Sequence, residues 1–152
     1  MTQTQHITVN TEKTHIDKNQ WKNLENSTTA SIFQTEEMYD FYASLPELFI
    51  PFVVSVEESK SLKGIIVGYI TKESSKIKHE LTKRAIIIGG PMLSDDINKE
   101  ALSQLLSATC SYLKHKAIYI ETRNFNDYDF YKNIFEKCGF ESSATLKDWQ
   151  RG

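Results

Sequence analysis

Arg84-Ala-Ile-Ile-Ile-Gly-Gly-Pro-Met-Leu-Ser-Asp-Asp96 decides how the rest of this chain is read. After Arg84 it runs through apolar, mostly β-branched residues without polar alternation, the pattern of a central strand covered on both faces. Gly89-Gly90-Pro91 then breaks the strand, and Ser94 followed by Asp95 and Asp96 matches a capped helix start. Strand, glycine turn and helix amino end, in that order, is also how many α/β folds hold a phosphate on helix amides. The alternative is a structural turn, in which the glycines let the strand bend and the helix pack closely.

Downstream, Ile97, Ala101, Leu102, Leu105, Thr109, Tyr112 and Leu113 recur on one helical face, so a long helix follows the break. Ala117-Ile-Tyr-Ile-Glu-Thr-Arg123 is then a strand, with Tyr119, Glu121 and Arg123 on one side and Ile118 and Ile120 on the other. A helical crossover between two strands makes them parallel neighbours. Asn126 or Asp127 caps a last helix with Tyr128, Tyr131, Ile134, Phe135 and Cys138 inward, Gly139 closes it in the left-handed position, and Phe140 to Leu146 reads as a final strand.

Upstream, Gln5 to Val9 is a weak edge strand, and Asp17 caps a short helix with Trp21 and Leu24 on one face. Thr35 caps a second helix whose inward face is Met38, Phe41, Tyr42 and Leu45, and Pro46 stops it. Leu48 to Val56 and Lys63 to Thr71 are dense in β-branched and aromatic residues and pair as a hairpin around a polar turn at Glu57 to Ser61. Gly68 inside the second strand marks a bulge or a close approach to the backbone. The charged, serine-rich stretch from Lys72 to Lys83 reads as a mobile loop.

The length of 152 residues suits one core, so a single domain over 1–152 is expected. Net charge is −2, which supplies no field for gathering DNA or an anionic surface, so no DNA partner is expected. Cys110 and Cys138 lack any C-x-x-C spacing, and His6, His15, His79 and His115 are scattered. A disulfide framework and a metal site are therefore both unsupported, and reduced thiols suit a cytoplasmic protein. No run approaches the roughly 18 apolar residues of a membrane span. Arg123-Asn-Phe-Asn-Asp127 lies just past a strand's carboxyl end, where α/β sheets bind ligands, so Arg123 and Asn124 are candidate substrate-binding residues. The alternative for Arg123 is an ion pair with Asp127 or Asp129.

The order strand, two helices, three strands, helix, strand, helix, strand is similar to the N-acyltransferase fold named for its Gcn5-related members (GNAT). Tyr131-Lys-Asn-Ile-Phe-Glu-Lys-Cys-Gly-Phe140 resembles a helix end of that superfamily. More narrowly, Trp21, the Ser31-Ile-Phe-Gln-Thr35 run, Arg84 with Gly89-Gly90-Pro91, and Gly139-Phe-Glu141 resemble the N-terminal half of FemAB-like proteins. Those are aminoacyl transferases that extend peptidoglycan peptides and are built from two GNAT-like subdomains. The resemblance implies an α/β fold, a central mixed sheet flanked by helices on both faces. It implies an acyl or aminoacyl transferase acting on a cell-wall or polysaccharide precursor, with aminoacyl-tRNA and a second GNAT-like domain or a second copy as partners. Arg84, Gly89 and Gly90 join Arg123 and Asn124 as candidate substrate-binding residues, and Tyr131 stands near the position of a tyrosine general acid, the alternative being core packing. FemAB-like proteins run to roughly twice this length, and the last strand of the fold is expected to be missing. The unfinished sheet edge, with the paired acidic residues Asp95 and Asp96 at the loop, motivates an alternative function, a non-catalytic scaffold that dimerises through that edge.

An acetyl-CoA enzyme of this superfamily uses a G-x-G/A loop led by a basic residue, whose amides bind the pyrophosphate with the helix end. Here Pro91 removes one amide donor. Asp95 and Asp96 add carboxylates, each opposing a phosphate charge by about 3 kcal/mol at ~5 Å and an effective dielectric near 20. Acetyl-CoA is accordingly disfavoured at Gly89-Gly90-Pro91 and no cofactor is expected there, while a ligand bound edge-on elsewhere stays open.

Overall fold

The computed structural model describes residues 6–72, 83–124, 126–142 and 149–151, with side chains left aside at 142 and 149–151. The Lys72–Lys83 loop and the Phe140–Leu146 strand expected from the sequence fall mostly outside these residues. The chain opens with an edge strand, β1 (Ile7–Asn10), and a helix, α1 (Lys18–Asn23), whose amino end Asp17 caps by accepting from Gln20 N. A second helix, α2 (Glu36–Ala43), begins at Thr35, whose hydroxyl accepts from Met38 N. Both caps are the residues that the sequence nominates.

The hairpin comes next, β2 (Phe49–Glu58) and β3 (Ser61–Thr71). Its strands run further than the expected polar turn allows, because the reversal takes only Ser59 and Lys60, both at positive φ (49° and 72°). Gln20 of α1 braces this turn: its amide donates to Lys60 O at 3.3 Å and accepts from Leu62 N at 2.7 Å. The strand β4 (Arg84–Ile88) matches the quoted stretch, and β5 (Met92–Leu93), α3 (Lys99–Leu113), β6 (Tyr119–Arg123), α4 (Lys132–Lys137), β7 (Glu141–Ser142) and β8 (Trp149–Arg151) complete the order.

The strands form one mixed sheet in the order β1-β2-β3-β4-β6-β8-β7, with β5 paired to β3 off that path. Strands β4 and β6 are parallel, as the helical crossover requires. Apolar residues on β2 alternate between faces. Phe52, Val54 and Val56 join Leu102, Leu105 and Phe135 of α3 and α4, while Val53 joins Trp21 of α1 and Tyr42 of α2. Helices therefore cover both faces, and the run without polar alternation follows from burial on both. Gly68 is a close approach rather than a bulge: a Cβ there would lie 2.5 Å from Ile86 O and 2.6 Å from Phe52 Cζ. The β2–β3 register slips instead between Val56 and Glu57.

Two expectations that bear on the site are corrected. The long helix does not start at Ser94. Met92 and Leu93 first pair with Ile65 and Gly64, Ser94 N donates to Lys63 O at 2.7 Å, and the helix is capped by Asn98, whose Oδ1 accepts from Glu100 N at 2.7 Å. Pairing with β3 outcompetes the local capping pattern, so Asp95 and Asp96 lie in the connection before α3 and not in its first turn. The sheet edge, moreover, is not left unfinished beside β6. Trp149–Arg151 is short, but it pairs antiparallel with β6 and sits between β6 and β7.

Between the two ladders that β3 makes on this side lies a gap. Tyr69 faces Ile86 and Ile65 faces Met92, so four steps along β3 are matched by six along the returning chain. The surplus bulges out as Gly89-Gly90-Pro91.

Candidate functional site

The bulge is an elbow at the carboxyl ends of the parallel strands β4 and β6. Gly89 and Gly90 hold φ of 86° and 66°, the left-handed region that glycine enters freely. Gly89 N donates to Arg123 O at 2.7 Å, tying the elbow to the end of β6. A side chain at Gly89 would run into Ser31, and one at Gly90 into the Asn124 amide and the Tyr128 hydroxyl.

Three side chains hold the elbow in shape. Tyr128 donates to Pro91 O at 2.6 Å, with Gly89 O at 3.2 Å sharing the same proton. Burial pushes this phenol far above its ordinary range, so it remains a donor. Gln34, fully buried, spans the gap between β3 and β4. Its Oε1 accepts from Val67 N at 2.7 Å and its Nε2 donates to Val67 O at 2.9 Å and Ile88 O at 2.7 Å. Trp21 Nε1 in turn donates to Gln34 O at 2.9 Å. Thr29 answers the next stretch, its hydroxyl facing both Leu93 N at 2.7 Å and Leu93 O at 3.0 Å. The Ser31-Ile-Phe-Gln-Thr35 run is thus the brace of the elbow.

Tyr128→Phe leaves Pro91 O in a buried place with its donor gone. A loss of about 1–3 kcal/mol in unfolding free energy is expected by urea titration, against a near-neutral change if water reaches the carbonyl.

The structure brings Gly89, Gly90 and Asn124 together. Asn124 is 6% exposed, and neither polar atom of its amide has a partner among the described residues, an expensive state unless something completes it. Arg84 does not join them. It starts β4, where its backbone N–H donates to Thr71 Oγ1 at 3.1 Å and its side chain is exposed, a strand length of roughly 15 Å from the elbow. Arg123 ends β6 beside Ile88 and is exposed. Its ion pair is with Glu121, at 3.0 Å from both Nε and the guanidinium terminus, rather than with Asp127 or Asp129. Residues two apart on a strand share a face, which explains the choice. Asp127 is engaged elsewhere, accepting from Asp129 N at 2.8 Å. Tyr131 is half-buried against the α3 and α4 core, edge-on to Phe130. Burial, then the charge of Asp95, raises its pKa. Tyr128, Gln34 and Thr29 were not legible as site residues, since their roles arise from contacts across the fold.

The amino end of α3 is already filled. Asn98 caps it, Glu58 Oε2 accepts from Asn98 N at 3.4 Å, and Glu100 sits in the first turn. Asp95 and Asp96 flank the approach, and both are held below the usual carboxylate range. Asp95 is held by hydrogen bonds from the Thr28 backbone and hydroxyl, Asp96 by Ser94 and then Lys63. Among the described residues, no group of three or more His, Cys, Asp or Glu is placed to hold a metal ion, and no helix is long and apolar enough to cross a membrane.

No family model matches the sequence, and no curated protein matches it either. Solved structures do match in shape. FemX aligns over 84% of this chain and 31% of its own, with a TM-score of 0.66 and 18% identity. This chain thus spans about a third of the length of FemX. A protein assigned to the GNAT acetyltransferase family from Desulfovibrio desulfuricans aligns over 95% of this chain and 98% of its own, with a TM-score of 0.63 and 12% identity. Glucosamine-6-phosphate N-acetyltransferase from Arabidopsis thaliana aligns over 93% and 95%, with a TM-score of 0.60 and 12% identity. At these identities the likeness establishes the fold, which is GNAT-like, with FemX among its neighbours.

Proposed function

We propose that this domain takes part in transferring an acyl or aminoacyl group onto an amine of a cell-wall or polysaccharide precursor, with a donor other than acetyl-CoA at the elbow. The observation that carries the reading is the occupied amino end of α3. A pyrophosphate needs free amides and an unopposed helix dipole, and here Asn98, Glu58 and Glu100 already answer that end while the Asp95 carboxylate, which has no cation paired to it among the described residues, opposes a second anion. Substrate instead lies along the carboxyl ends of β4 and β6, where Arg123 grips a carboxylate in exchange for Glu121 and the Asn124 amide meets a peptide-like group. Tyr131, kept protonated by burial and by Asp95, is the candidate to protonate the departing oxygen of the donor. The likeness to one part of FemX supports a second GNAT-like domain or a second copy completing the site. The rival reading, a non-catalytic scaffold that pairs through a sheet edge, would use the outer strands β1 or β7, since β8 lies against β6.

Calorimetric titration tests this with acetyl-CoA, aminoacyl-tRNA and a cell-wall precursor peptide, alone and with a candidate second domain. The expected result is no saturable acetyl-CoA binding, and precursor binding that Arg123→Ala weakens about tenfold, roughly 1.4 kcal/mol. Saturable acetyl-CoA binding would overturn the choice of donor. Silence from every donor and acceptor, with the second domain present, would overturn the transferase reading.

A further inference from the structure

The opposite end of the sheet from the elbow holds a cleft of about 550 Å³. Its floor is aliphatic: Ile50 from β2, Ile70 from β3, and Ala117 and Ile118 just before β6. Among the described residues its polar lining is basic, from Lys83, Lys114, His115 and Lys116. The chain carries 20 Asp and Glu against 18 Lys and Arg, so a lining that, among the described residues, holds three lysines and a histidine and no carboxylate runs against the overall balance.

Helix polarity accounts for only part of this. One or two cations after Leu113 complement the carboxyl end of α3. Lys83 arrives from a different element, fixed to the same place by the bond from Ile118 N to Lys83 O at 3.0 Å. None of Lys83, Lys114 and Lys116 takes part in an ion pair among the described residues. Lys116 lies over the Tyr112 ring at 4.9 Å. Ile118 is 55% exposed, an aliphatic side chain left in water between cations. Cations that form no ion pair among the described residues, beside exposed aliphatic surface, suit a ligand with an anionic head and an apolar body.

We infer that this cleft binds a phosphate ester carried on an aliphatic chain, the phosphate among Lys83, Lys114 and Lys116 and the chain over Ile70 and Ile118. The site is independent of the elbow and of the proposed transferase chemistry. The same chemistry comes from a soluble alkyl phosphate or from an anionic lipid, and the two are separable in one experiment. The full chain is titrated with hexyl phosphate, with inorganic phosphate, and with phosphatidylglycerol or phosphatidylcholine vesicles, at low and at high salt.

Hexyl phosphate is expected to bind at least tenfold tighter than inorganic phosphate, and more weakly as salt rises. Lys83→Glu with Lys114→Glu should abolish the binding, and the milder Lys114→Gln, at an exposed position, should weaken it with the fold intact by circular dichroism. Ile118→Asn should erase the preference for the alkyl chain. Binding to phosphatidylglycerol vesicles but not to hexyl phosphate, sensitive to the same substitutions, assigns the ligand to a lipid; the reverse assigns it to a soluble ester. Absence of both, equal affinity for inorganic phosphate, or indifference to the charge substitutions would each overturn the site.

Discussion

Gln34→Leu is expected to cost about 3–9 kcal/mol of unfolding free energy, enough to unfold many domains of this size. The amide satisfies both Val67 backbone groups and the Ile88 carbonyl, at a position with no solvent. Leucine fills the space and answers none of them, which leaves three buried polar groups unpaired at about 1–3 kcal/mol each. Gln34→Met keeps more of the shape and should be nearly as damaging. Gln34→Glu retains the acceptor for Val67 N but loses both donations and buries a charge, so it should be no better. Urea unfolding of the three variants measures this. A methionine variant within about 0.5 kcal/mol of the parent would mean that filling volume is all the residue does.

Gly90→Ala should lower stability by about 2–4 kcal/mol, from two separable sources. A residue with a Cβ at φ of 66° is strained by about 1–2 kcal/mol wherever it sits. The remainder is collision, with the Asn124 amide and with the Tyr128 hydroxyl 2.8 Å from the new carbon. Asn124→Ala in the same chain relieves the first collision and leaves the strain. The double variant should therefore be more stable than the sum of the two single losses predicts, by about 1 kcal/mol or more. Strict additivity would show that Asn124 does not press on the elbow.

The sequence carries the outline of this fold because its strongest signals are periodic and local. Val53 and Val54, or Ile65 and Ile66, need only alternate to reach opposite faces, and the caps at Asp17 and Thr35 act within three residues of themselves. Where the signal is a contact across the chain, it fails. Ser94, Asp95 and Asp96 imitate a helix start, but Leu93 belongs to a ladder with Gly64 and Asp95 to the Thr28 backbone, which lies 67 residues away. The closing strand eludes pattern reading because Trp149–Arg151 is too short to alternate. The candidate site divides the same way. Gly89, Gly90 and Asn124 stand out at the ends of two legible strands. Gln34 and Tyr128 look like an ordinary polar residue and an ordinary core aromatic until the elbow is seen closing around them.

The elbow also fixes a parity. Because its surplus is two residues and not one, Met92 stays on the face of Trp21 and Leu93 on the face of α3, each in step with the pleat of β3. An insertion or deletion of a single residue between Ile88 and Met92 exchanges the two side chains between cores and carries Ser94, Asp95 and Asp96 to the wrong side. A change of two keeps the faces and alters only how far the loop projects beyond the ends of β4 and β6. Length variation of this chain is therefore quantised at the elbow, with even steps open to it and odd ones closed.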